Sequence, residues 1–336
     1  MEQAGQGQGG GELAALPVVA LDQLEAEAAE IASATLASRT RAAYGGDVAS
    51  WEGFCRTVGG TPYPADPGLV RLYLTQLVLH GGRRRRPVRP LTAERHLAGI
   101  AAAHRALGLA FDTRHPAVAQ VLTGLKKKFG TAQKGAEPLR TRDLRRILNV
   151  MGRDARSVRD RALLLIGFAA GLRRAELAAL DRPDLAFVPE GLVIRLGRSK
   201  GDQLGEGRVV GIVPGANPES CPVRALRAWL RLAEIADDEV APVFRPVNRW
   251  DVIEWSLGRI SDKSVDRAVQ SWCRRAGLDG RYSAHSLRAG HVTEARLQGA
   301  TAKTVQLQTG HSRPGLIDLY ERAALFEANS SALLGL

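Results

Sequence analysis

The 336-residue chain, with 45% hydrophobic and 24% charged residues, has the composition of a soluble globular protein, and its length suggests about two domains. Its longest apolar run, residues 162–172, is shorter than the roughly 20 residues that cross a bilayer, and residues 1–36 contain no basic residue to begin a signal peptide, so we expect neither a membrane protein nor a secreted one. The formal net charge of +12 favours a polyanionic partner, whereas three cysteines without C-x-x-C spacing indicate neither a disulfide framework nor a metal cluster.

The N-terminal part of the chain divides into a tail and a helical region. Residues 1–36 begin with a Gly- and Gln-rich stretch and contain six acidic residues, which predicts a flexible acidic tail. Between residues 37 and 130 the apolar residues recur at helical spacing in four segments, separated by Gly- and Pro-rich turns. The segments contain Tyr44, Val48, Trp51 and Cys55; Val70, Leu74 and Leu77; Leu97, Ile100 and His104; and Val118, Val121 and Leu125. The pattern predicts a compact all-helical domain over 37–130.

Two basic runs lie in this predicted helical domain. One consists of Arg83, Arg84, Arg85 and Arg86, and the other of Lys126, Lys127 and Lys128. A single run of this kind is typical of a solvated loop or helix end. Two runs in one small domain, in a chain of this net charge, favour contact with the DNA backbone. Together with Arg41 they are the candidate DNA-binding residues.

Residues 131–138 are polar, contain Gly and Pro and have no periodicity, which indicates an interdomain linker before a second domain at 139–336. That domain begins with a predicted helix capped by Thr141 and an apolar helix over 158–180. Two β-branched strands, 192–196 and 209–213, flank a Gly-rich loop and predict a hairpin. Further helices are expected over 223–235, 264–276, 286–297, 301–308 and 317–326. The expected fold is mainly α, with a helical N-terminal domain and a mixed α+β second domain that holds a small antiparallel sheet.

An ordered set of polar residues runs through the second domain: Arg173 with Glu176, then Lys200, His285 with Arg288, His311 and Tyr320. Taken singly, each has an ordinary interpretation. Arg173 and Glu176 fit an intrahelical ion pair, and a tyrosine on an apolar helix is usually part of a core. The specific signal is the complete set in this order.

These residues, in the pattern Gly171-Leu172-Arg173-x-x-Glu176, Lys200 on a hairpin, His285-x-x-Arg288, Gly310-His311 and Tyr320, resemble the tyrosine recombinase family, also called phage integrases. The motifs cover about residues 138–326, and residues 37–130 resemble the family's core-binding, SAM-like domain by size and position. The stretch from His285 to Arg288 is most similar to the Cre-like branch. Thr309 replaces the usual Leu before Gly-His, and Ala175 replaces a frequent Ser. Neither change removes a reacting group.

The resemblance implies a site-specific recombinase that cuts and rejoins duplex DNA through a covalent 3′-phosphotyrosine. Tyr320 would be the nucleophile, His285 would assist as general base, and Lys200 would protonate the leaving 5′ hydroxyl. Independently of the resemblance, the guanidinium groups of Arg173 and Arg288 are suited to hold the charge that develops on a scissile phosphate, with hydrogen bonds from His285 and His311. Glu176 is a supporting residue. We therefore expect no metal ion and no other cofactor.

The expected partners are double-stranded DNA and further copies of the chain. The resemblance implies four protomers on two DNA sites, with a C-terminal segment that docks either on a neighbouring protomer or on its own domain. We expect a cytoplasmic, nucleoid-associated protein and leave the need for accessory proteins open. Two alternatives remain at this point: a type IB topoisomerase-like enzyme that relaxes DNA without synapsis, and a catalytically silent DNA-binding accessory protein.

Overall fold

The computed structural model describes residues 20, 23–27, 31, 38–82, 86–131, 135–197, 207–236 and 240–310. Its internal contacts divide the chain into two compact units, Met1–Gln133 and Lys134–Leu336. In the described residues the fold is mainly α-helical with one small antiparallel sheet, as the sequence predicted. No helix in the described ranges is both long enough and apolar enough to span a membrane.

The first unit contains the four predicted helices. They are α1 (Ser38–Val58), α2 (Pro67–Leu79), α3 (Pro90–Ala106) and α4 (Pro116–Phe129). Proline at the first helical position sets the backbone angle for α2, α3 and α4 without losing a hydrogen bond, because the first N–H groups of a helix have no partner within it. The Asp66 carboxylate accepts a bond from the Leu69 backbone N–H at 2.8 Å and caps α2.

The core of this unit is aromatic and aliphatic, and a polar chain is buried beside it. Trp51 and Tyr73 pack edge to face with ring centroids 5.3 Å apart. The Asp47 carboxylate pairs with Arg95 at 2.5 Å and with His96 Nε2 at 3.1 Å, and His96 Nδ1 lies 2.9 Å from the Tyr73 hydroxyl. Burial, followed by the charge of Arg95, lowers the pKa of His96 to about 4. The chain of contacts links α1, α2 and α3.

The second unit consists of seven described helices and a three-stranded sheet. The helices are α5 (Thr141–Asn149), α6 (Ala155–Ala169), α7 (Arg174–Ala179), α8 (Pro222–Leu232), α9 (Asp262–Arg275), α10 (Ala284–Leu297) and α11 (Ala302–Thr309). The strands are β1 (Leu185–Val188), β2 (Gly191–Leu196) and β3 (Arg208–Ile212), antiparallel in the order β1-β2-β3. Strand β1 was not expected. Helix α6 is the centre of the core, because Ala162 to Ile166 are all buried.

Two local expectations were wrong. The apolar segment 158–180 is not one helix: α6 ends at Ala169 and α7 begins at Arg174. Gly171 lies between them with φ +59°, a left-handed conformation that ends a helix and favours glycine. Thr141 is the first residue of α5 rather than its cap. The cap position belongs to Arg140, whose backbone N–H donates to the Asp143 carboxylate at 3.3 Å.

The chain that enters the second unit lies along α10. The Leu139 backbone N–H donates to the Ser286 carbonyl at 2.9 Å, and Leu139 is fully buried. A Cβ atom on Gly290 would lie 1.9 Å from the Leu139 carbonyl oxygen, so the entering backbone occupies the space that a side chain would need. One turn later, the Glu294 carboxylate accepts bonds from Arg140 Nε at 2.5 Å and from the Thr141 backbone at 3.1 Å.

Candidate active site

Arg173 and Glu176 lie where α6 gives way to α7. Because the helix breaks at Gly171, Arg173 is the cap residue of α7 and not part of a continuous helix. The Glu176 carboxylate accepts one bond from the Arg173 backbone N–H at 2.9 Å and one from the Arg173 guanidinium at 2.6 Å. The predicted pair is therefore present, but it forms the first turn of a new helix.

The C-terminal end of α11 binds arginines from three other parts of the unit. Arg208 Nη1 donates to the Gln308 carbonyl at 2.5 Å, Arg288 Nη1 to the Thr309 carbonyl at 2.6 Å, and Arg173 Nη2 to the Gly310 carbonyl at 3.1 Å. The last carbonyls of a helix have no partner within it and carry partial negative charge, so guanidinium groups stabilise this end. Gly310 follows with φ +64° as the left-handed residue after the helix.

Helix α10 supplies the next two predicted residues. His285 is in its first turn and Arg288 in its second, on a helix capped by Ser283. Arg288 is 2% exposed, and its Nη1 also donates to the Gly171 carbonyl at 2.7 Å. Arg288 therefore joins the α6–α7 break to the end of α11.

The imidazole of His285 is close to two of these arginines. Its side chain reaches solvent, yet loss of water around the ring, followed by the charges of Arg288 and Arg173, lowers the pKa of His285, with Asp266 acting in the opposite direction. A lowered pKa favours the neutral ring, which is able to accept a proton near neutral pH. Sequence positions more than a hundred residues apart thus meet at one place.

Asp266 on α9 orients the start of α10. One carboxylate oxygen accepts a bond from the Ala284 backbone N–H at 2.8 Å, and the other pairs closely with Arg174. Arg174 also pairs with Asp262 at 3.2 Å. Both acids pair with Arg174, the residue next to Arg173, while the Arg173 guanidinium binds Glu176 and the end of α11.

Arg208, at the start of β3, belongs to this cluster and was missed from the sequence. Its Nη2 lies 2.9 Å from Glu176 Oε2, so that Glu176 is held between Arg173 and Arg208. Glu176 is buried, which by itself raises its pKa, but the backbone bond from Arg173 and the charges of Arg208 and Arg173 outweigh burial and leave the pKa below its ordinary value. The sequence signal was only a charged residue where a half-buried strand begins.

Thr309, the departure from the family pattern noted in the sequence, is accommodated by packing. Its side chain is fully buried and its hydroxyl donates to the Val305 carbonyl at 2.6 Å. A Cβ atom on Gly171 would lie 2.7 Å from the Thr309 methyl carbon, so this threonine packs directly against the helix break. The substitution fills the junction between α6 and α11.

Several predicted residues lie outside the described part of the chain: Lys200, His311, Tyr320, Arg83, Arg84 and Arg85. The described site ends at Gly310, the residue before His311. Among the described residues, no group of three or more His, Cys, Asp or Glu side chains is placed to hold a metal ion. What the described cluster offers is an arrangement of guanidinium groups with one buried carboxylate, which is suited to binding an anion such as a phosphodiester.

The other candidate DNA contacts are in the first unit. Arg41 is exposed near the start of α1, and Arg86 is exposed before α3. At the end of α4, Lys127 and Lys128 are exposed, whereas Lys126 pairs with Glu94 at 2.8 Å. The lysine run is therefore not uniform, because one of its three charges is already neutralised.

Residues 137–325, more than half of the chain, match the model of the phage integrase family. The chain belongs to this family. An integrase/recombinase XerD homolog from Selenomonas ruminantium is 33% identical over 302 residues, which cover 88% of this chain and 84% of the relative. Tyrosine recombinase XerC from Haemophilus ducreyi is 30% identical over 174 residues, which cover 52% of this chain and 51% of that protein. These matches confirm the resemblance to the tyrosine recombinases.

Solved structures of the family share the fold. The XerH site-specific recombinase bound to a palindromic difH substrate superposes with a TM-score of 0.57 at 18% identity, over 83% of this chain and 75% of that one. A lambda integrase dimer bound to a COC′ core site gives a TM-score of 0.56 at 14% identity, over 89% and 94% of the two chains. At these identities the similarity establishes the architecture, and the branch within the family stays a prediction.

Proposed function

We propose that this protein is a site-specific recombinase that cuts and rejoins duplex DNA through a covalent bond between Tyr320 and a 3′ phosphate. The observation that carries the proposal is that Arg173 and Arg288, from two distant motifs, bind adjacent carbonyls of the segment that leads directly into His311. A phosphodiester held there meets cations on its non-bridging oxygens. These cations stabilise the extra negative charge of the pentacoordinate transition state, a role that metal ions fill in many other phosphoryl transfers.

In the proposed reaction, the Tyr320 oxygen attacks the phosphorus atom and the bond from phosphorus to the 5′ oxygen breaks. The Tyr320 proton passes to the neutral imidazole of His285, and Lys200 gives a proton to the departing 5′ oxygen. His311 donates a hydrogen bond to the phosphate. A phenol with a pKa of about 10 is both a nucleophile and a good leaving group, so attack by a 5′ hydroxyl reverses the step and joins the strand to a new partner. The scheme uses no metal ion and no high-energy cofactor.

The helical region 37–130 is proposed to grip the DNA and residues 139–336 to carry the chemistry, after a linker at 131–138. Arg41, the Arg83 to Arg86 run and the lysines at the end of α4 are the proposed backbone contacts. We also propose that the enzyme acts in the cytoplasm, associated with the nucleoid, because its proposed substrate is duplex DNA.

One experiment tests the chemistry and needs no known target sequence. Wild-type protein and Tyr320→Phe are each incubated with sheared genomic DNA, the samples are denatured, and DNA that stays attached to protein is captured and its ends are sequenced. A single recurrent end, seen only with wild-type protein, is the expected result. Scattered ends would instead support the relaxing, topoisomerase-like enzyme. Retention of DNA before denaturation, without any covalent adduct, would support either the silent DNA-binding protein or a recombinase that requires an accessory protein.

We further propose that the active assembly is a tetramer on two DNA sites, held together by the C-terminal segment. Removal of residues 327–336 is expected to abolish recombination between two sites and to leave binding to a single half-site intact, because assembly and DNA contact use different parts of the chain. Gel shifts and a two-site recombination assay measure the two properties. Unchanged recombination by the shortened chain would contradict the proposal and would indicate that the segment docks on its own domain.

A further inference from the structure

The negative charge of Glu176 opposes the proposed binding of a phosphate at Arg173 unless neighbouring cations compensate it. A buried carboxylate beside Arg173 competes with the scissile phosphate for the same guanidinium group. The side chain of Glu176 is 7% exposed, so its charge is poorly screened by water. With Arg173 as its sole partner, Glu176 would draw that guanidinium toward itself and away from an incoming anion.

Arg208 is the second partner. Its Nη2 binds Glu176 Oε2, the same oxygen that accepts the Arg173 backbone N–H, while Arg173 Nη1 binds the other oxygen, Oε1. Arg208 is itself 18% exposed and fixed, because its Nη1 holds the Gln308 carbonyl. The charges of Arg173 and Arg208 together exceed that of Glu176 by one, so the trio remains cationic.

Arg208 also lies against the residue that leads into His311. A Cβ atom on Gly310 would lie between 3.0 and 3.2 Å from Arg208 Cδ, Nε and Cζ, so the side chain runs closely along this glycine. Gln308 extends the contact, because its Nε2 donates to the Gly211 carbonyl of β3 at 3.0 Å. Strand β3, which follows Lys200 in the sequence, is thus hydrogen-bonded to the end of α11, which precedes His311.

We infer that Arg208 is a positioning residue for the cleavage step: it neutralises Glu176 so that the positive charge of Arg173 remains available to the scissile phosphate, and it holds Gln308 at the end of α11, which precedes His311 in the sequence. This inference rests on the proposed function. It assigns Arg208 no contact with DNA, so its loss should slow the chemistry and leave DNA affinity unchanged.

The test uses full-length protein and a nicked oligonucleotide duplex carrying the end sequence recovered in the junction experiment. The rate of covalent adduct formation and the affinity for the duplex are measured for wild type, Arg208→Met and Arg208→Lys. Arg259→Met is the matched control, since Arg259 in the same unit makes a two-oxygen bond to Asp181 and donates to the Ala179 carbonyl, both outside the site. Circular dichroism and thermal unfolding establish that each variant is folded.

Arg208→Met is expected to lower the adduct rate by about 10-fold to 100-fold and to leave duplex affinity unchanged. An effect of this size is typical for residues that orient a reacting side chain without touching the substrate. Arg208→Lys keeps the positive charge but cannot make the bidentate contacts of a guanidinium, so its adduct rate should lie between those of wild type and Arg208→Met. An adduct rate for Arg208→Met equal to that of Arg259→Met would overturn the inference. An equal loss of affinity and rate would also overturn it, because Arg208 would then be a DNA contact.

A second pair of variants isolates the route through Glu176. If Arg208 acts by neutralising this carboxylate, Arg208→Met combined with Glu176→Gln should be no slower than the slower single variant, since both changes act on one interaction. Multiplying defects would overturn the inference.

The wild-type reaction separates this inference from the proposed function. Absence of a wild-type adduct on the recovered sequence would overturn the recombinase chemistry and with it any role of Arg208 in that step. A wild-type adduct with an unaffected Arg208→Met variant would overturn the role of Arg208 alone.

Discussion

At the scale of single residues, the site depends on one buried acid held by two cations. Glu176 accepts bonds from the backbone and guanidinium of Arg173 and from Arg208. Its folded-state pKa is lowered from the ordinary 4.5 despite burial. A group of this kind contributes stability that is fully present above its unfolded pKa and is lost as the pH falls through the folded pKa.

Replacement of Glu176 by Gln is therefore expected to have a pH-dependent effect on stability. Near neutral pH it should lower the free energy of unfolding by about 2 kcal/mol, because two partly buried guanidinium groups lose a charged acceptor. As the pH falls below the ordinary glutamate value of 4.5, the wild-type protein progressively loses this contribution, so in acid the two proteins should unfold at more similar urea concentrations. Urea titrations near neutral pH and in acid measure the difference. An equal difference at the two pH values would contradict the assigned ionisation.

The same residue shows what a sequence can and cannot reveal. The spacing of Arg173 and Glu176 predicted their contact, although the pair was expected on one continuous helix and instead forms at the N-terminal cap of α7. Arg208 is 32 positions from Glu176 and 100 positions from Gln308, and neither contact has a local signal. The motif order predicted the set of reacting groups, whereas Arg208, which we infer supports them, became visible only through the fold.

At the scale of helices and strands, periodicity predicted the helices of the described chain well and their interruptions poorly. The four helices described between residues 38 and 129 were expected, because each combines an apolar face with a Pro- or Gly-rich turn. The break at Gly171 lies inside a continuous apolar run. Buried helices and buried turns are both apolar, so hydrophobicity alone does not distinguish them. Strand β1 has only four residues, too few for alternation to be distinguished from chance.

Helix α10 allows a direct test of how tightly the entering chain is packed. Gly290→Ala would place a methyl group 1.9 Å from the Leu139 carbonyl oxygen, so the backbone must move. We expect a loss of about 2–3 kcal/mol in unfolding free energy, within the range of strongly destabilising core changes. Gly53→Ala is the control, because Gly53 is also inside a helix but has nothing within 4 Å of its Cβ position.

The control should be neutral or gain up to about 1 kcal/mol, since alanine has the higher helix propensity. Chemical denaturation of the two variants and the wild type supplies the comparison. A stabilised Gly290→Ala protein would show that residues 135–140 do not press on α10.

At the scale of the whole molecule, the excess positive charge is expected to act through particular side chains. At the end of α4, Lys127 and Lys128 are exposed while Lys126 is paired with Glu94. Each phosphate contact releases about one counterion and adds about one unit to the slope of log affinity against log salt. Lys127→Gln and Lys128→Gln should each reduce that slope by about one unit, and Lys126→Gln should change it less.

Binding to a duplex of arbitrary sequence at several salt concentrations measures these slopes, with Lys126→Gln as the control on the same helix turn. Equal slopes for wild type and all three variants would show that the run is a solvated helix end. Composition alone predicted a polyanionic partner, but it could not distinguish a free lysine from a paired one, because that depends on the neighbouring helix.

The arginines that bind the end of α11 have a consequence for how such chains diverge. Arg173, Arg208 and Arg288 each satisfy a backbone carbonyl of this segment as well as taking part in the site. A descendant that had abandoned strand exchange but still had to fold would be under selection to keep all three. The presence of these arginines in a family member therefore indicates that the architecture is kept. The presence of the proposed nucleophile, Tyr320, is the better indicator that activity is kept.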